Sequence, residues 1–216
     1  MKKLLQISLA LATVFGAFAA QAQDVNAGQK KIAMCIGCHG IPGYQASFPE
    51  IHKVPMIAGQ NAKYIVSALQ AYAKGDRKHP TMRGIAESLS EKDIADVSAY
   101  YEQHGKTGAE LPAKPSREPS VQVAELLKKG ACVSCHGDNF AKPIDPSYPK
   151  IAGQHADYLF VALKAYKVEK NANVGRGNAI MGGVAKQFTN AELKALANYV
   201  GGLDGDLHTV PQSRFR

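Results

Sequence analysis

The residues with the most pronounced chemistry in this 216-residue chain are its four cysteines, because each pair is followed at once by a histidine. Cys35 and Cys38 precede His39, and Cys132 and Cys135 precede His136. C-x-x-C-H is the attachment spacing of c-type haem. The two thiols add to the two vinyl groups, the intervening pair sets the sulfur separation, and the next residue comes under the iron as its proximal ligand. Other chemistries fit less well. A disulfide framework gives no reason for a histidine after each pair. A thioredoxin-like pair needs a βαβ setting that the flanking sequence lacks. A zinc site wants all four cysteines to converge, whereas these lie in separate parts of the chain. The reading is two covalently bound haem c groups.

The sixth iron ligand separates a carrier from a catalyst. The methionines beyond the first 22 residues are Met34, Met56, Met82 and Met181. Met34 adjoins Cys35 and cannot reach the opposite face of the same haem. Met82 and Met181 share an M-x-G-[IV]-A context, which makes them the expected partners of His39 and His136 in His/Met ligation. His79 competes with Met82, but the second half has no histidine at the equivalent place. A proximal histidine commonly donates its other N–H to a carbonyl. Pro55 and Pro149 are candidates for that role, with a plain turn the equally weighted alternative. His52, His104, His155 and His208 have no repeated counterpart and read as surface residues. Tyr64 and Tyr158 read as facing inward, with hydroxyls near a haem propionate.

These residues are positioned by a duplication. CIGCHG at Cys35 returns as CVSCHG at Cys132, and IAGQ at Ile57 returns at Ile151, each preceded by a proline. LQAY at Leu69 matches LKAY at Leu163, and MRGIA at Met82 matches MGGVA at Met181. The offset moves from 97 at the cysteines to 94 at IAGQ and 99 at the methionines, so the copies differ by small loop changes. In this register Met56 falls opposite Lys150, so the repeat does not support it as a ligand. Between the copies, residues 105–120 carry three prolines and two glycines with no apolar periodicity, which reads as a surface linker. The expected domains are 23–104 and 121–216.

The periodicity predicts an all-α fold with three main helices per half. One covers Asn61 to Lys74, with Tyr64, Ile65, Ala68, Leu69 and Tyr72 on one face and Gly75 closing it. Ser90 to Asp93 and Thr189 to Glu192 resemble capping boxes opening helices through Tyr101 and Val200. Another helix precedes each cysteine pair. Halves of under a hundred residues without tryptophan bury little apolar surface, and a covalent macrocycle would complete each core.

Lys2, Lys3, an apolar run to Ala20 and the sequence Ala20-Gln21-Ala22 read as a secretory signal cleaved after residue 22, which implies a periplasmic protein. No later stretch reads as a membrane span, although peripheral association with a membrane surface stays open. The formal charge of +8 falls to +6 without the two signal lysines. Residues 23–110 hold ten basic and nine acidic side chains, and residues 111–216 hold fourteen and nine, so the halves stand at +1 and +5. No basic run interleaved with aromatics suggests nucleic acid. The charge reads as a mild field that could orient an acidic redox partner.

With these motifs in order, the chain resembles the dihaem cytochrome c4 family over its whole length beyond the signal. The resemblance implies two cytochrome c domains related by a pseudo-twofold, with haem held by Cys35, Cys38, His39 and Met82 and by Cys132, Cys135, His136 and Met181. It also implies that the carbonyls of Pro55 and Pro149 bind the two histidines. Residues inserted around His52 to Val54 depart from the pattern. The implied function is electron transfer between respiratory or dehydrogenase donors and an acceptor such as an oxidase. An electron-accepting dehydrogenase subunit, for example of a flavin-linked sulfide dehydrogenase, is the alternative. A dihaem peroxidase is disfavoured by the matched methionines.

Overall fold

The computed structural model describes residues 23–106, 108 and 110–212; the expected secretory signal, residues 1–22, lies outside them. Among the described residues the first half forms α1 (Val25–Lys31), α2 (Ala33–His39), α3 (Ala62–Lys74), α4 (Pro80–Glu87) and α5 (Glu91–Gln103). The second half repeats the order as α6 (Val121–Lys129), α7 (Val133–His136), α8 (Ala156–Ala165), α9 (Ala179–Ala185) and α10 (Asn190–Gly201). Each half thus has two helices more than the three main ones expected, because the cysteine and methionine segments also wind. Among the described residues four two-residue strands accompany the helices: β1 (Gln45–Ala46), β2 (His52–Lys53), β3 (Arg77–Lys78) and β4 (Gly175–Arg176).

The closing helices show how local sequence builds each half. Ser90 accepts from the Asp93 N–H while the Asp93 carboxylate accepts from the Ser90 N–H, a reciprocal cap that opens α5. Thr189 and Glu192 do the same for α10. From those starts, Ile94, Val97 and Tyr101 turn inward on α5, and Leu193, Leu196 and Val200 on α10. Burying an aliphatic side chain of this kind stabilises the fold by roughly 1.5–3 kcal/mol. The α1 helix crosses α5 closely enough that a Cβ on Gly28 would lie 2.2 Å from the Asp96 carbonyl oxygen, so only glycine fits there. The Asp96 carboxylate also accepts from the Asp24 N–H at 2.9 Å, tying down the start of α1.

Each half has its own small core, one around Ile36, Leu69 and Val97, the other around Phe140, Leu193 and Ala197. The halves meet through β3 and β4, an antiparallel pair in which Arg77 faces Arg176. The chain end also returns to the first half, where the His208 N–H donates to the Ala58 carbonyl at 3.0 Å and Val210 packs on its core. Residues 110–120 run mostly exposed and are pinned to the second half. Arg117 donates to the carbonyls of Asn198 and Tyr199, and Asn139 donates to that of Pro112. No helix among the described residues is long and apolar enough to cross a membrane.

Candidate functional site

His39 ends α2 and His136 ends α7, so each follows its cysteine pair on one helical turn. No disulfide joins these four cysteines. His39 Nδ1–H donates to the Pro55 carbonyl at 2.8 Å, and His136 Nδ1–H donates to the Pro149 carbonyl at 3.0 Å. This fixes the tautomer in both rings and leaves each Nε2 as a free acceptor. Burial pushes both imidazoles below their ordinary value, which keeps them neutral as a ligand must be. Burial pushes the Cys35 thiol up to about 11, with the Tyr101 hydroxyl beside it offsetting part of the rise. Cys132 is raised by burial as well.

The two methionines occupy one position in two copies of a local device. The His79 ring caps α4 by accepting from the Met82 N–H at 3.4 Å, and the Asn178 side chain caps α9 by accepting from the Met181 N–H at 2.9 Å. His79 therefore has a structural task that an asparagine performs in the other half. Its ring is also set edge-on against Phe48 and Tyr72. Cys35 and Met82 both border the first-half core, and Cys132 borders the second. Met181 is half-buried.

A cluster at the junction of the halves has the chemistry to seat the anionic edge of a haem. Arg77 donates to the hydroxyls of Tyr64 and Tyr158 at 3.3 and 3.4 Å, and Arg176 donates to Tyr158 at 3.0 Å. Their guanidiniums also lie over the rings of Tyr72 and Tyr166, respectively. Neither arginine has a carboxylate partner among the ion pairs of the described residues, and Arg77 Nε is buried without a hydrogen-bond partner. Enclosed cations in that position call for an anion, and propionates fit. Burial alone would raise the Tyr158 phenol, but Arg176 and Arg77 outweigh it and bring the group down to about 8. The two tyrosines thus face the seam between the halves rather than either core.

Sequence reasoning missed both arginines, although their spacing is the same 99 residues that separates the methionines. It also missed Gln60 and Gln154, which end the repeated IAGQ blocks and are 4% exposed. One expectation is corrected. His52 is not a surface residue: it is buried, donates through Nδ1–H to the Glu50 carbonyl at 2.8 Å, and faces the Tyr158 ring of the other half. His104, His155 and His208 are half-buried.

The family model described as Cytochrome c matches residues 25–104 and again 120–204. Cytochrome c4 of Stutzerimonas stutzeri is 33% identical over 91% of this chain and 97% of its own length. The chain belongs to the cytochrome c4 family. The crystal structure of reduced recombinant cytochrome c4 from Pseudomonas stutzeri superposes with a TM-score of 0.64 at 28% identity, covering 85% of this chain and all of that one. A thiosulfate dehydrogenase electron acceptor from Stutzerimonas stutzeri strain A1501 is 31% identical over 83% of this chain and 86% of its own. As a cytochrome c4 the protein is a dihaem electron-transfer cytochrome, with one covalent haem c for each C-x-x-C-H motif.

Proposed function

We propose that this cytochrome c4 is a periplasmic carrier that takes single electrons from a respiratory or dehydrogenase donor and delivers them to an acceptor such as an oxidase, without catalysing a reaction of its own. In this reading the first cytochrome c domain is 23–104 and the second 121–216, joined by 105–120 and exported by a signal cleaved after residue 22. Cys35 and Cys38, and Cys132 and Cys135, hold the two groups. His39 with Met82, and His136 with Met181, are the axial pairs. When bound, each haem supplies a one-electron ferric/ferrous couple.

The observation that carries the proposal is the matched orientation of the two histidines. Both rings are locked through Nδ1 to a proline carbonyl and offer Nε2, and in both halves a methionine stands at the third position of a capped helix. Two irons with both axial positions filled leave no place for a small-molecule substrate, which argues against peroxidase chemistry.

Denaturing mass spectrometry of the mature protein should give the chain from Gln23 plus two haem masses. Met82→Ala and Met181→Ala should each lower the potential of one haem and remove part of the far-red sulfur-to-iron band of the oxidised protein, because thioether ligation favours the reduced state. If Met82→Ala leaves that band whole while Met56→Ala diminishes it, the first-half assignment is wrong.

A second reading, an electron-accepting partner of a dehydrogenase, is favoured by the thiosulfate dehydrogenase electron acceptor among the relatives. Co-purification with a larger dehydrogenase would select it. In either reading the partners are redox proteins, not nucleic acid.

A further inference from the structure

The seam between the halves contains a clasp that repeats across the pseudo-twofold. Gln154 of the second half accepts from the Met56 N–H at 3.0 Å and donates through Nε2 to the Met56 carbonyl at 2.8 Å. Gln60 of the first half accepts from the Lys150 N–H at 3.0 Å and donates to the Lys150 carbonyl at 2.9 Å. Each glutamine oxygen also accepts from the N–H of the next residue in its own chain segment, His155 or Asn61, at 3.0 Å. Gly59 and Gly153 set this up. Both are left-handed, with φ of 84° and 73°, and turn the chain so that the following glutamine points across the seam.

The clasp does not grip arbitrary backbone. The Pro55 carbonyl that binds His39 and the Met56 N–H that binds Gln154 belong to one planar peptide group. Likewise, the Pro149 carbonyl that binds His136 and the Lys150 N–H that binds Gln60 are two ends of one peptide. A hydrogen bond accepted from a peptide N–H makes that peptide's carbonyl a stronger acceptor, and the effect is larger in a buried, low-dielectric setting. A stronger carbonyl draws on the imidazole N–H, and a more basic imidazole favours oxidised iron.

We infer that Gln60 and Gln154 are cross-tuning residues, each setting the potential of the haem in the opposite half through the peptide that holds its proximal histidine. They are positioning residues, since neither touches a haem ligand directly. The inference rests on His39 and His136 being the proximal ligands. It makes the seam an electrical contact between the halves as well as a mechanical one: opening the clasp on one side changes the other side's iron.

The test is crossed. Redox titration of the full-length dihaem protein first assigns the two waves with Met82→Ala and Met181→Ala. Gln154→Leu should then raise the first-half wave and leave the second in place, while Gln60→Leu should raise the second-half wave alone. Gln154→Met and Gln60→Met, which keep the side-chain length but remove both hydrogen bonds of each glutamine, should raise the same waves in the same crossed pattern; they carry the test if the leucine variants do not fold. The His39 and His136 ring N–H resonances of the paramagnetic protein should shift in the same crossed pattern, a readout that a purely mechanical clasp would not produce. Waves that move in the glutamine's own half, or equally in both, or not at all, overturn the inference. If the methionine variants also leave both waves unmoved, the ligand assignment itself has failed instead.

Discussion

The two halves build the same histidine–carbonyl contact, yet the loops that reach it are used in opposite ways. In the first half, residues 45–53 form the β1–β2 hairpin, which leans across the seam onto α8. There the Lys53 N–H donates to Asp157 at 3.0 Å, Glu50 pairs with Lys164, and His52 lies against the Tyr158 ring. The corresponding loop of the second half first folds back on its own domain and reaches the first half only at its end, where the Tyr148 and Lys150 carbonyls accept from Asn61 and Gln60. Phe140 is 1% exposed, its ring edge-on to Tyr199, and its carbonyl accepts from the N–H groups of Ile151 and Ala152. The comparison teaches that the requirement at the histidine is local, one carbonyl in one place. The rest of each loop is free to serve the interface or the core. The first half depends more on its neighbour, and the second more on itself.

The largest expected effect tests that division. Phe140→Ala should destabilise the second half by about 3–5 kcal/mol, as for a fully buried aromatic. Phe48→Ala in the first-half loop should cost far less, because that ring is only half-buried against His79. Thermal unfolding followed at each half's own haem signal measures both. Equal losses would remove the distinction between an inward loop and an outward one.

Much of this was legible beforehand, and the residues show why. The capping boxes at Ser90 and Thr189 are written within four residues, so α5 and α10 begin where the sequence puts them. The twin C-x-x-C-H motifs are equally local. What failed to appear depends on partners far along the chain. His52 looked like a surface residue because its aromatic neighbour Tyr158 belongs to the other half. Gln60 and Gln154 were visible as a repeated block, but their partners lie 90 and 98 residues away. The short helices α4 and α9 were not among the three main helices expected in each half, because seven or eight residues show too little periodicity.

A smaller asymmetry lies in how the opening helices are tied. Asp96 on α5 accepts from the Asp24 N–H at 2.9 Å and from Lys92 at 2.6 Å, whereas the repeat places Ala195 at that point of α10. The Lys92 hydrogen bond and the Asp24 N–H hold the Asp96 carboxyl below its ordinary value. A carboxyl depressed by folding contributes stability that is complete above its unfolded value and is lost as pH falls through its lower folded value. Asp96→Ala should therefore cost the first half about 1.5–3 kcal/mol near neutral pH, the range for a hydrogen bond to a charged group. The cost should shrink as the medium is taken well below pH 4. Hydrogen exchange of the α1 amides at pH 7 and pH 3 checks this; a cost that does not change between the two would show that the carboxylate charge is not what ties α1.

The smallest effect concerns which haem is easier to reduce. Positive charge near an iron favours the reduced form, and the second half carries +5 against +1. The two arginines nearest the seam do not discriminate, since Arg77 comes from one half and Arg176 from the other. Lys164 contributes less than its count suggests, because Glu50 of the first half pairs with it, and Lys150 is paired with Asp206. What remains is spread over exposed lysines, each worth roughly 0.3 kcal/mol at ~12 Å in water. Such a field reaches about 30 Å at 0.01 M salt but only about 10 Å at 0.1 M. The second-half wave should therefore lie at the higher potential, and the gap should narrow over that salt range. Under the proposed His39/Met82 ligation, Met82→His exchanges a thioether for an imidazole and should lower the first-half wave, which labels the two waves for the titration. A first-half wave at the higher potential in the wild type, or a gap indifferent to salt, would move the explanation from charge to the unlike exposure of the two haem edges.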